Sequence, residues 1–232
     1  MSISGTWLAR TCSWMADAAL GQACLLCGAT SDASPLCVPC RNDLPALAQG
    51  CPVCAMPGAP DQTCGTCLRH PPRFDCTMAI WRYAYPADRL VQALKFHGRL
   101  ALAPLFAREM AARVAPVDAI VPMPLHASRL AERGFNQAAE IARIVAAEQG
   151  TKLLIRGAVR IRPTRPQAAL PLDARSRNVR GAFACTLDLA GARIAVVDGV
   201  MTTGATLDEL AGALKHAGAA RVENWVVART LD

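Results

Sequence analysis

An α/β fold is predicted for this chain, with a doubly wound parallel sheet preceded by a small N-terminal four-cysteine zinc-ribbon domain. Three observations predict it. Past residue 73, short apolar runs alternate with amphipathic segments, the pattern of strands covered on both faces by helices. Before it, four CxxC pairs fall within residues 24 to 67. Near the carboxyl end, a buried run, an acidic residue, a loop of hydroxyls and a helix follow one another over 194–215. The domain reading is an N-terminal segment over 1–23 expected to form a short helix, a double zinc ribbon over 24–72, and a larger α/β domain over 73–232, with the boundary at His70-Pro71-Pro72-Arg73.

The cysteine pairs are Cys24/Cys27, Cys37/Cys40, Cys51/Cys54 and Cys64/Cys67, separated by nine, ten and nine residues. Each pair forms one knuckle, and two knuckles complete a tetrahedral site, so the arithmetic gives two zinc ions. Sequence leaves the pairing of the knuckles open. A disulfide framework requires export, and residues 1–23 do not read as a signal: the apolar run is broken by Thr11, Cys12 and Ser13. A redox CxxC would open a helix rather than recur four times between turns. This segment has little apolar material to bury, so metal supplies its folding free energy, about 10–16 kcal/mol per site in zinc-finger peptides. With all four positions filled by sulfur the zinc is structural. Cys12, Cys76 and Cys185 stand outside the pattern and read as small semi-buried hydrophobes.

With 232 residues, 53% of them apolar, the chain has material for one ordinary core plus an appendage. No run approaches the ~20 apolar residues of a membrane span. The reading is a cytoplasmic protein. A net charge of +7 points to anionic partners.

Element by element, Met78–Tyr83 reads as a strand, Asp88–Lys95 and Leu102–Val114 as amphipathic helices, and 119–121 as a buried strand ended by Pro122 and Pro124. A helix is expected over Asn136–Glu148, closed by Gly150, and a strand over 153–155. Residues 162–180 read as loop. Ile194–Val197 is a buried strand, Thr206–Lys215 a helix with Leu207, Leu210 and Leu214 on one face, and Val222–Ala228 the last strand.

The chemistry concentrates at Asp198-Gly199-Val200-Met201-Thr202-Thr203-Gly204-Ala205-Thr206. A strand delivers a carboxylate at its carboxyl end, and a loop of hydroxyl and small residues leads into a helix, with Thr202, Thr203 or Thr206 as possible caps. Backbone N–H groups at a helix N-terminus, hydroxyl donors and a glycine permitting close approach make a phosphate cradle. Its place outside a parallel strand is where such sheets bind ligands. Ordinary capping of a strand-turn-helix would need the same residue types. The chain has neither GxxxxGK[ST] nor GxG, which excludes a P-loop and a dinucleotide fingerprint.

The order Val-Val-Asp-x-Val-x-Thr-Thr-Gly-Ala-Thr resembles the signature of type I phosphoribosyltransferases that binds phosphoribosyl pyrophosphate (PRPP). Val121 to His126, Arg129 and Glu132 to Gln137 are similar to the pyrophosphate-loop region of the ComF (ComFC- or GntX-like) branch of that family. Thr164-Arg165-Pro166-Gln167, Leu172, Arg177, Asn178 and Gly181 to Phe183 resemble its flexible hood, and Leu94-Lys95-Phe96-His97-Gly98 also matches, as does the four-knuckle zinc region. The resemblance runs from about Cys24 to Thr230. It implies a loop over 202–206 for the 5-phosphate, Asp198 as the acid for ribose hydroxyls and the catalytic candidate, and Pro124, Arg129, Arg133 and Arg177 around the pyrophosphate. It further implies Mg2+ with PRPP and a role in natural transformation on incoming single-stranded DNA, alongside DNA-uptake machinery. One departure matters: the signature carries two adjacent acids, and the second is here Gly199. A lost charge-assisted hydrogen bond is worth about 1.5–3 kcal/mol.

Seven arginines lie between 156 and 180 (Arg156, Arg160, Arg162, Arg165, Arg175, Arg177, Arg180) against one acid, Asp173. They serve a hood over a leaving pyrophosphate, a track for DNA phosphates, or solubility. Two functions from different classes therefore stand: a PRPP-dependent transferase, and a DNA- or nucleotide-binding module without turnover, which Gly199 favours.

Overall fold

The computed structural model describes residues 22–32, 34–164 and 177–231. The expected helix over 1–23 and the hood positions Arg165, Gln167, Leu172 and Arg175 fall, all or nearly all, outside them. The chain divides into two compact units, one to Leu44 and one from Pro45. The second pair of knuckles therefore belongs to the larger unit rather than to a ribbon set apart by residues 70–73.

The smaller unit holds β1 (Gln22–Ala23) antiparallel to β2 (Thr30–Ser31), and a short helix α1 (Val38–Asn42) that starts at Cys37 with proline in its first turn. Proline there lacks only an N–H that would be orphaned anyway.

The larger unit is built on five parallel strands in the order β3-β9-β8-β4-β5. These are β3 (Cys76–Arg82), β4 (Ala119–Pro122), β5 (Lys152–Leu153), β8 (Arg193–Met201) and β9 (Arg221–Arg229). Before them comes α2 (Gly65–Arg69), and between them α3 (Ala87–His97), α4 (Leu102–Ala111), α5 (Ala127–Arg133), α6 (Gln137–Gln149) and α7 (Ala205–His216). A small antiparallel pair, β6 (Val159–Arg160) and β7 (Phe183–Ala184), stands apart from the sheet.

Both faces of the central strands are buried, which the near-continuous apolar runs of β8 and β9 require. Ile194, Val196, Val222 and Val226 pack in one cluster with Leu207, Leu210 and Leu214 of α7. The alternate residues Ala195, Val197, Trp225 and Val227 are as fully buried, so the opposite face is covered too. The doubly wound parallel sheet is thus present.

The structure refines several elements. β8 continues to Met201, its register with β9 reaching Met201 opposite Arg229, so the turn into α7 is only Thr202 to Gly204. α5 is not among the elements that periodicity predicts: it is about two turns with no buried residue, and so lacks the apolar pattern that reveals helices. His126 caps it, its Nδ1 accepting from the Ser128 N–H at 3.3 Å. Asn136 caps α6 through Oδ1, which accepts from Ala138 N–H at 3.0 Å. Residues 177–179 form a helical turn within the stretch read as loop. Arg73 fixes α7 from outside, its Nη2 donating to Asp208 at 2.8 Å and to Glu209 at 2.6 Å.

Candidate functional site

The eight knuckle sulfurs fall into two groups, Cys24/Cys27/Cys37/Cys40 and Cys51/Cys54/Cys64/Cys67, with the sulfurs of each group within 4.8 Å of one another. The pairing left open by sequence is sequential. Cys27 Sγ and Cys37 Sγ are 3.7 Å apart, as are those of Cys54 and Cys64. A tetrahedron with Zn–S bonds of about 2.3 Å has edges of about 3.8 Å, so the donor sets fit zinc. Burial raises the Cys24 thiol, but backbone N–H donors at Cys27, Cys37 and Leu26 outweigh it and bring it down to about 6. The same contest brings Cys51 down to about 7. Cys40 is pushed up by the sulfurs of Cys27 and Cys37. Cys67 is pushed up by burial and by the sulfurs of Cys54 and Cys64. Four adjacent thiols ionise together only around a cation.

At the carboxyl end of β8 a cavity of about 530 Å3 opens, within the range of small-molecule sites. Asp198, Gly199, Val200, Met201, Thr202, Gly204, Ala205 and Thr206 line it from the strand and the helix start. Lys95 of α3, Arg129 and Arg133 of α5 and Arg160 of β6 add positive charge to its wall, alongside Gln92, His126, Gln137 and Thr164. Among the described residues, four cations thus face one carboxylate.

Gly204 sits in the left-handed region (φ +81°) at the cap of α7, and a Cβ there would lie 2.7 Å from Met201 Cε. Only glycine closes this turn without strain. No threonine side chain occupies the cap position. Thr203 instead points outward, and its Oγ1 accepts from Ala205 N–H at 3.3 Å. Thr203 is exposed and absent from the cavity wall. Thr202 and Thr206 are in it. The α7 N-terminus thereby presents backbone donors and its positive dipole end to the cavity.

Burial pushes the Asp198 carboxyl above the usual carboxylate range, against the Gly199 N–H and the charges of Lys95, Arg160 and Arg133. The Gly199 N–H donates to Asp198 Oδ1 at 2.7 Å. Burial also lowers Lys95, countered by Asp198 and reinforced by Arg133 and Arg129. Arg133 Nη1 donates to Gln137 Oε1 at 2.6 Å, which holds its guanidinium beside the cavity. Pro124 is buried just past β4, and neither it nor Arg177 lines the cavity. Of the four pyrophosphate positions that the resemblance implies, Arg129 and Arg133 line it.

Lys95 and Arg160 are the cavity residues that local sequence reasoning passed over. Lys95 lay within a recognised motif without a role. Arg160 was one of seven arginines with nothing to single it out.

Comparison with known proteins joins these features. A double zinc ribbon family model matches residues 15–68. "DNA utilization protein YhgH" of Salmonella typhi is 34% identical over 206 residues, covering 84% of this chain and 91% of the relative. The chain belongs to the ComF family. Its relatives also include YhgH of Escherichia coli K12, 32% identical over 191 residues and covering 78% of this chain and 84% of the relative. "Competence protein F" of Haemophilus influenzae is 29% identical over 220 residues, covering 83% of this chain and 96% of the relative. Among solved structures, a glutamine PRPP amidotransferase of B. subtilis, complexed with ADP and GMP, matches with a TM-score of 0.39 at 17% identity. It covers 55% of this chain, which spans 26% of that enzyme. A purine phosphoribosyltransferase of Pyrococcus horikoshii matches with a TM-score of 0.31 at 16% identity, over 66% of this chain and 87% of that one. In the ComF chain described here, the two four-cysteine groups are structural zinc sites.

Proposed function

We propose that this ComF-family chain binds a 5-phosphorylated ribose, with PRPP and Mg2+ as the full ligand, in the cavity at the end of β8. The observation that carries the reading is the Thr202–Thr206 turn at the helix α7 start, opening into a cavity walled by Lys95, Arg129, Arg133, Arg160 and Asp198. Backbone N–H groups at 204–206, that of Ala205 on release from Thr203 Oγ1, and the Thr202 and Thr206 hydroxyls hold the 5-phosphate. Asp198 accepts from a ribose hydroxyl. The four cations face the diphosphate and neutralise the charge that grows on it as the glycosidic bond breaks. Mg2+, when bound with PRPP, supplies further positive charge to the diphosphate. The names of relatives, DNA utilization protein and Competence protein F, support a role in DNA use and competence. Together with the +7 charge and the exposed Arg156, Arg162, Arg177 and Arg180, they support single-stranded DNA as a partner and the cytoplasm, where thiolate sites stay reduced, as its place. Among the described residues no helix is long and apolar enough to cross a membrane.

Gly199 favours a second reading, a nucleotide- or DNA-binding module that keeps the fold without turnover. The test is a melting series with ribose 5-phosphate, PRPP and PRPP with Mg2+. A ligand held only by the native state raises the melting temperature by mass action, and Thr206→Val is expected to reduce that rise. If no phosphorylated ribose moves the transition, the cavity does not serve this ligand.

A further inference from the structure

Arg229 ends β9 and is 5% exposed. Its Nε donates to the Cys54 carbonyl at 2.9 Å, inside the second zinc knuckle. Its Nη1 donates to the Met201 carbonyl at 3.3 Å, to the Thr202 carbonyl and to the Thr230 carbonyl at 2.5 Å. One planar fork therefore ties a cysteine knuckle to the first residue of the 202–204 turn. Among the described residues the side chain makes no ion pair with a carboxylate. A buried guanidinium without a counter-charge is costly. Its bond to the Cys54 carbonyl sets the guanidinium beside that knuckle, where the sulfurs of Cys54, Cys67 and Cys64 act on its charge. Four thiolates around Zn2+ carry two net negative charges, so the loaded centre is the counter-ion of this arginine.

A second connection runs through apolar packing. Cys51, Cys54 and Cys67 share one buried cluster with Phe74 and Met201. Met201 and Phe74 are the side chains against which Gly204 is fitted, at 2.7 and 3.5 Å from a Cβ built there. The knuckle thus reaches the turn both through carbonyls and through side chains. The first zinc site lies in the other unit of the chain.

We propose that Arg229 is a positioning residue that couples the Cys51/Cys54/Cys64/Cys67 zinc site to the phosphate-binding turn. Zinc at that site holds the guanidinium in place, and the guanidinium holds the Met201 and Thr202 carbonyls back, leaving the opposite, N–H-bearing side of the turn facing the cavity. Loss of this one zinc disorders the turn, whereas loss of the other leaves it intact. The proposal rests on the reading that the turn takes a 5-phosphate.

The experiment uses full-length protein and three readouts: zinc release to a colorimetric chelator, the amide NMR shifts of residues 202–206 without ligand, and ribose 5-phosphate affinity. Cys64→Ser and Cys37→Ser each remove one zinc ligand. Cys64→Ser is expected to move the 202–206 amides and weaken ribose 5-phosphate about ten-fold, while Cys37→Ser leaves both at wild-type values. Arg229→Met is expected to release one of the two zinc ions about 10–100-fold faster, the usual effect of losing a group that supports metal ligands. Arg229→Lys keeps the charge but not the fork, so it retains zinc better than Arg229→Met while still shifting the turn amides. Unmoved turn amides in Cys64→Ser overturn the coupling, as do equal responses to Cys64→Ser and Cys37→Ser. Should Arg229→Met not fold, the cysteine pair and Arg229→Lys decide. If wild-type protein ignores ribose 5-phosphate, the phosphate reading falls, and the zinc and amide readouts still judge the coupling.

Discussion

Gly199→Asp is expected to strengthen Mg2+-PRPP binding. A Cβ at Gly199 meets no atom within 4 Å, so the new side chain enters open space without displacing the wall. Gly199 lies within strand β8, and its N–H that bonds Asp198 Oδ1 is retained. Electrostatics also permit the change: four cations face one acid, and a second carboxylate leaves the wall net positive. A charge-assisted hydrogen bond to a ribose hydroxyl contributes about 1.5–3 kcal/mol, which at 1.4 kcal/mol per decade is about a ten- to 150-fold tighter complex. Titration calorimetry of wild type and variant with PRPP, in Mg2+ and in EDTA, measures it. An unchanged affinity in a variant that melts like wild type would refute the reasoning, because the added carboxylate would then lie at a place the ribose never reaches.

Three further outcomes are expected. Gly204→Ala forces a side chain into the left-handed region and against Met201, and should cost about 1–2 kcal/mol of stability and abolish the ribose 5-phosphate melting shift; calorimetric melting checks both. Burial raises the Asp198 carboxyl in the folded chain, so the native state holds that proton more tightly than the unfolded chain. The stability this carboxyl contributes is full below the ordinary carboxylate range and is lost as pH rises through the raised value. Asp198→Asn should therefore melt higher than wild type at neutral pH and converge with it in acid, while losing ribose phosphate; a melting series across pH shows whether the curves converge. Neutralising the exposed Arg156, Arg177 and Arg180 should lower the slope of log affinity for single-stranded DNA against log salt by about two, at about 0.7 per phosphate contact. An unaltered slope in fluorescence anisotropy removes those arginines from the DNA interface.

Where local sequence carried the physics, the reading reached the structure. The runs at Ile194–Val197 and Val222–Ala228 are buried on both faces and so uniformly apolar, and they form the two central strands. The CxxC spacing located both metal sites, because a knuckle is a local object, but which knuckles pair is settled only by the folded chain. The turn at 202–204 was legible as the link between a strand and a helix. Its geometry was not: Gly204 rather than a threonine takes the cap, and Thr203 turns away. Lys95 and Arg160 come from elements 65 residues apart in sequence, and no local pattern says that they meet. Arg229 was the least visible. At the end of an apolar strand an arginine reads as the solvated terminus, whereas here it is buried among carbonyls and sulfurs.

The most direct test of the account is to map ribose 5-phosphate onto the isotope-labelled protein by amide NMR. The account predicts saturable shifts concentrated at residues 198–206, with further changes at Lys95, Arg133 and Arg160. Absence of shifts there at millimolar ligand, or shifts confined to other parts of the chain, would contradict it.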